Sequence, residues 1–315
     1  MRIRTASWLL GMVVIAMTTV GCGAPDRSAE AAQLETTLGS IPGVESADVY
    51  YTNGFDSGYT VDIKVMMPGA DDRQVVAMVR RMNAEMGNEF DDYGTPVTIG
   101  IGDNVVIESG GRFTPEGAAA DLATARVAQT GVAAGWITVS HREGGPSIDI
   151  TDAADPVHAA TVMSAAFGSA RGEIDVMPRE PGSQLRWLVN TPVSDRHIHD
   201  AAARIDTLGT PVAAVTVDDG GIAELWIDAG TETNAHATVS AVIHSLGAGR
   251  NRPLRLHWRV SPAVDTWERD ASGSASVGTC DETRTDRAAD PRTDFEAASV
   301  ALERRIRAEY ETCRK

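Results

Sequence analysis

Two hydrophobic periods alternate along the chain. In TVDIKVM, Val61, Ile63 and Val65 are separated by Asp62 and Lys64, and in PSIDIT, Ile148 and Ile150 oppose Ser147 and Asp149. Alternation with period two predicts strands that bury one face. A few residues further on the period changes. Val75, Val79, Met82 and Met86 fall at i, i+4, i+7 and i+11, as do Ala235, Val239, Val242 and Leu246, which predicts helices with one apolar stripe. Paired strands are joined by Gly-bearing turns: Asn53-Gly54 with Ser57-Gly58, Glu143-Gly144-Gly145, and Asp218-Asp219-Gly220-Gly221. These residues suit the positive φ angles of tight hairpins.

The unit of strand, turn, strand, polar start signal and helix occurs three times. Each hairpin is preceded by a helix, marked by Leu34, Leu38 and Ile41, by Ala118, Leu122 and Ala125, and by Ile198, Ala202 and Ile205. Each second helix is followed by a strand: TPVTIGIG, EIDVMP and PLRLHWRVS. Opening strands NVVIES and QLRWLVN precede the second and third units, while the first has none and would complete its sheet from a neighbour. The order β-α-β-β-α-β resembles the ferredoxin-like split βαβ fold. The expected class is therefore α+β, with three tandem ferredoxin-like sandwich modules over residues 31–103, 104–180 and 181–263 and a C-terminal helix. Each module would cover one sheet face with two helices and leave the other free. An alternative arrangement merges the strands into one or two larger sheets. A ferredoxin-like fold serves many functions and carries no activity with it.

Residues 264–292 are rich in Asp, Ser, Gly and Thr without either period and are expected to form a polar linker. Thr293 and Glu296 match a capping box, and Phe295, Leu302, Ile306, Tyr310 and Cys313 make one stripe. A helix over 293–315 that docks on the body is predicted.

The beginning of the chain adds a location. Arg2 and Arg4 precede an apolar run from Ala6 to Val20, the length of an export signal rather than of a membrane span. Thr19-Val20-Gly21-Cys22 resembles the lipobox of bacterial lipoproteins, with Thr19 where that family usually has Leu. The resemblance implies a signal peptide over 1–21, a diacylglycerol on Cys22 with acyl chains such as palmitate, a tether over 22–30, and a protein on the extracytoplasmic face of the cell membrane. The chain carries 44 acidic against 28 basic residues, a net charge of −16. That balance argues against nucleic acid and against adsorption to anionic lipid, so attachment falls to the lipid itself. With Cys22 modified, Cys280 and Cys313 remain, and an exported chain favours a disulfide between them over free thiols or an intermolecular bond.

Candidate chemistry is sparse. Phosphate-loop, dinucleotide, zinc-protease, C-x-x-C and G-x-S-x-G signatures are missing. Gly110-Gly111-Arg112 sits where acylphosphatases of ferredoxin-like fold bind phosphate, but no suitable Asn follows. In DRHIHD, His197 and His199 would point to different sides of a helix, and His236 and His244 lie two helical turns apart, so neither pair predicts a metal site. Asp71-Asp72, Asp91-Asp92 and Asp218-Asp219 fall at helix starts and turns, where Asp caps backbone, and the calcium-loop spacing is missing. No metal or cofactor is expected, and the chain is read as not an enzyme.

The free face of the third unit carries the strongest pattern. Glu224, Trp226 and Asp228 alternate with Ala223, Leu225 and Ile227; Arg255, His257 and Arg259 alternate with Leu254, Leu256, Trp258 and Val260. Arg186 would stand between these acidic and basic rows. One reading is a solvated face laced with cross-strand ion pairs; the other is a docking surface, because Trp and Arg most often carry interface energy. The function expected is a lipid-anchored, non-catalytic envelope protein that holds or presents a partner, an envelope protein or a small ligand, through its tandem modules. The alternatives are a ligand-binding or sensory lipoprotein with a cleft between modules, and an envelope hydrolase of unrecognised type.

Overall fold

The computed structural model describes residues 26–54, 58–142, 145–179, 185–260, 272–280 and 297–312. Helix α1 (Ser28–Gly39) leads into the hairpin β1 (Ser46–Gly54) and β2 (Gly58–Met66). The same order then repeats: α2 (Asp72–Met86) with β3 (Val97–Gly102) and β4 (Val105–Ser109), and α3 (Pro115–Gly131) with β5 (Trp136–Arg142) and β6 (Gly145–Ala153). It continues with α4 (Pro156–Phe167), β7 (Gly172–Pro178) and β8 (Arg186–Thr191), then α5 (Asp195–Ile205), β9 (Val212–Asp218) and β10 (Gly221–Asp228). The last unit is α6 (Glu232–Leu246), β11 (Leu254–Arg259) and β12 (Gly273–Val277), and α7 (Ala297–Tyr310) closes the chain.

Side-chain caps start helices α2, α3, α4 and α5. Asp71 accepts from the Gln74 backbone N–H while the Gln74 side chain accepts from the Asp71 N–H, a complete capping box. Thr114, Asp155 and Ser194 cap α3, α4 and α5, and Pro115 and Pro156 supply the preset φ of a first helical residue.

The twelve described strands form one sheet in chain order, β1 to β12. Hairpin partners are antiparallel, and each strand pair separated by a helix, such as β2–β3 or β10–β11, is parallel. This corrects the ferredoxin-like expectation. A ferredoxin-like module inserts its first strand between the third and fourth; here every crossover lands on the adjacent position, so β4 to β7 lie in sequence rather than interleaved. The arrangement is the merged sheet, and the broad mixed α and β class stands.

Two physical reasons favour it. Two strands span about 9.6 Å, close to the 8–10 Å spacing of packed helices, so one helix per hairpin tiles an even layer. A single sheet also leaves only two edges, whereas separate modules would each expose a pair. Right-handed crossovers place successive helices on the same side. There α1 packs on α2, α2 on α3, α3 on α4, α4 on α5, and α6 on α7. Between the layers lies a continuous core in which Val61, Ile63, Val65, Ile99, Ile107, Val139, Ile148, Ile174, Val189, Val215, Leu225 and Leu256 have no exposed surface. Among the described residues, no helix packs on the opposite sheet face.

Residues 264–292 depart from the linker expectation, because β12 lies within them and pairs antiparallel with β11. Its sequence, GSASV, is too small and polar to show a period, and yet every residue is buried. Gly273 is required there: a Cβ would lie 2.5 Å from the Trp258 ring, which lies across it. Helix α7 covers β12 with Ile306 fully buried, and it docks on α6 through His236 to Glu309 (3.1 Å) and the edge-on pair His244–Tyr310. Leu302 and Tyr310 of the predicted stripe pack on the core; Phe295 and Cys313 lie outside the described residues.

Both sheet edges are closed by local polar groups. At β12 the Ser276 N–H donates to Glu311, and Gly278 N–H donates to the Tyr310 carbonyl. At β1 the Val49 N–H donates to Glu35 of α1. Helix α1 begins at Ser28, inside the expected tether of residues 22–30.

Candidate functional site

Register settles the geometry of the predicted face. Leu225 and Ile227 of β10 and Leu256 and Trp258 of β11 point into the core, at 0–1% exposure, so the alternating residues face away from the helices. On that open side three pairs stand in parallel register: Glu224 with Arg255, Trp226 with His257, and Asp228 with Arg259. Six of the seven predicted docking residues are thus brought together. The Trp226 ring stacks on the His257 imidazole with centroids 4.0 Å apart and planes 5° from parallel. His257 Nε2 in turn meets Glu224 Oε1 at 2.5 Å, and this hydrogen bond holds the Glu224 carboxyl below the usual carboxylate range.

Arg186 is placed differently. It lies on β8, in register with Ala214 of β9, so one whole strand separates it from β10. The expected position between the acidic and basic rows depended on interleaved strands, and the sequential sheet removes it. Arg186 instead makes a two-pronged bond to Asp175 of β7, at 2.9 and 2.5 Å, which pushes the guanidinium pKa further up. Asp175 stands beside Asp149 of β6 in register, so the arginine faces a small acidic group on the same open surface. Between Arg186 and Trp226 the row has only the methyl of Ala214.

Two further aromatics on this face went unread in the sequence. Tyr50 of β1 is 71% exposed and Trp136 of β5 is 43% exposed; both occupy the strand positions opposite the core row. Each could have been found by carrying the alternation of its strand one residue further.

The other candidate chemistry resolves into structure. His199 Nδ1 meets the Asp195 carbonyl at 2.8 Å, as in one helical turn, and no group of three or more metal-ligating residues occurs among the described residues. Arg112 donates to the Gly87 carbonyl and to Asp91, which ties the β4–α3 turn to the end of α2 rather than forming a phosphate loop. One pair was missed: Asp121 of α3, 1% exposed, meets His141 of β5 at 2.8 Å. Burial pushes the Asp121 carboxyl up, and His141 opposes that shift. The signal was a charged residue inside the apolar stripe of Ala118, Leu122 and Ala125.

Cys22 lies outside the described residues. Cys280 is disulfide-bonded. Its expected partner Cys313 also lies outside, but the residues just before the two cysteines are joined, Thr312 N–H donating to the Thr279 carbonyl at 3.0 Å.

No helix among the described residues is long and apolar enough to cross a membrane. Comparison of the chain with protein-family models, with curated proteins and with solved structures returns no match.

Proposed function

We propose that this protein is a lipid-anchored envelope protein, without catalytic activity of its own, that holds a partner protein on the open face of its sheet. The observation that carries the reading is the stacked Trp226–His257 pair framed by Glu224, Arg255, Asp228 and Arg259, on a face that no helix covers among the described residues. Aromatic side chains and Arg are enriched at protein interfaces. The same face also bears the exposed Tyr50 and Trp136. The anchor would enter at the other end of the sheet. Helix α1 begins six residues after Cys22 and packs on β1, whereas the patch lies on β10 and β11, roughly 40 Å away at about 4.8 Å per strand. In this reading the sheet is a rigid spacer that carries a docking patch away from its lipid.

Two arms test it. Cys22→Ala should abolish labelling by a metabolic fatty acid; equal labelling would remove the anchor. A photo-crosslinking residue at position 226 or 136 should form a discrete adduct in the intact envelope, while one at Val127, exposed on α3 of the helix layer, should not. Equal adducts from both sides of the sheet would end the docking reading.

The C-terminal staple belongs to the same proposal. A disulfide between Cys280 and Cys313 would fix α7 over β12 and protect that edge in an oxidising compartment. A non-reducing peptide map should recover the two cysteines in one linked species, and recovery of Cys280 joined to a different cysteine would remove the staple.

A further inference from the structure

Helices α5 and α6 are the one adjacent pair that does not pack closely. A cavity of about 220 Å³ lies there, on the helix side of the sheet, between α5, the β9–β10 turn and the C-terminal end of α6. We propose that this cavity binds a small soluble dianion of the phosphate-monoester class.

Its walls are cationic in an acidic protein. Arg196 and Arg204 come from α5 and Arg252 from the α6–β11 connection, with one acid, Asp200, among the lining residues, while the chain as a whole carries −16. Arg196 pairs with Asp200 at 3.5 Å on the outer rim, where both are well exposed. That leaves Arg204 and Arg252, which both reach the Leu246 carbonyl at the end of α6, at 3.4 and 3.3 Å. Two guanidinium groups on one carbonyl oxygen stand close together, and like charges held so close repel. An anion between them turns that repulsion into charge-assisted hydrogen bonds, for which each guanidinium has donors to spare. His197 Nδ1 on the same wall is buried and makes no hydrogen bond.

The geometry also selects the ligand class. Donors approach from two separate elements, which suits a tetrahedral oxyanion with oxygens in several directions better than a planar carboxylate with two. With Arg196 neutralised by Asp200, two guanidinium charges remain, and they match a dianion. The floor is apolar: Ala201, Leu246 and Leu254 are 2–4% exposed, and Ile222 joins them. The volume is below the range of about 300–1,000 Å³ typical of drug-sized pockets, so the body attached to the phosphate must be small and apolar. The site lies in the other layer from the docking face and does not depend on it.

Calorimetric titration of the full chain with phenyl phosphate and with inorganic phosphate, at constant ionic strength, tests the proposal. Phenyl phosphate should bind saturably, one per chain, and more tightly than inorganic phosphate. Arg252→Gln removes an exposed guanidinium whose bond to the Leu246 carbonyl is long, at 3.3 Å, so its unliganded melting temperature should be unchanged while affinity falls at least tenfold. Arg204→Gln should weaken binding similarly. Absence of heat beyond a chloride control, or undiminished affinity in both variants, would overturn the site. So would binding to phosphatidic acid vesicles without binding to phenyl phosphate, because that pattern belongs to a surface that reads headgroups and not to a cavity.

Discussion

Trp258→Ala is expected to destabilise the protein by about 3–5 kcal/mol, as truncation of a buried aromatic does. The ring is 1% exposed, sits on β11 between Ile227 of β10 and Gly273 of β12, and lies across the glycine so closely that no side chain fits beneath it. With the indole gone, the glycine has nothing with which to fill the space, and sheet hydrogen bonds hold the neighbouring strands in place. The loss should therefore include most of the cavity cost as well as the transfer term. Denaturant unfolding with an unchanged m-value would read it directly. A loss under about 1 kcal/mol, the range of surface changes, would put the ring outside the core. Trp226→Ala offers the contrast. Its stack on His257 is partly exposed, and an aromatic pair contributes about 0.5–1.5 kcal/mol beyond its area.

Arg186→Met should cost about 2–3 kcal/mol. Removing one partner of a buried ion pair costs about 3–5 kcal/mol, because the other charge stays behind without compensation. The figure here is reduced because the Arg186 side chain keeps 27% of its surface in water, against 10% for Asp175. Asp175, in register with Asp149 on β6, would then lose its two-pronged partner. Adding Asp175→Leu to the same chain should return most of the loss, since replacing both charges by apolar groups is often close to neutral. A double variant no more stable than Arg186→Met alone would mean that the two side chains act independently, despite their two-pronged contact.

The alternation of the open face was legible because a sheet residue has only two directions to point. Once Leu225, Ile227, Leu256 and Trp258 are assigned to the core, Glu224, Trp226, Asp228, Arg255, His257 and Arg259 follow by parity. The partners across strands were not legible. Arg186 meets Asp175 and not Glu224, and Asp121 meets His141 twenty positions away, because such contacts depend on which strands are neighbours.

By itself the sequence determined the elements: strand or helix from the hydrophobic period, hairpins from Gly-bearing turns, the start of α2 from Asp71, and the buried face of almost every strand. Period, capping and turn chemistry are local, set by residues within about one helical turn of each other. Strand order was decided only in the tertiary structure. A β-α-β-β-α-β sequence buries the same side chains whether its crossovers interleave or advance, so no local pattern separates three closed modules from one sheet. What separates them is the matching of two strands to one helix and the removal of inner edges, both properties of the whole layer. Strand β12 is the limiting case. Gly273–Val277 has almost no hydrophobic signal of its own; it is a strand through its pairing with β11 and its contact with α7, and at Gly273 the Trp258 ring leaves no room for a side chain.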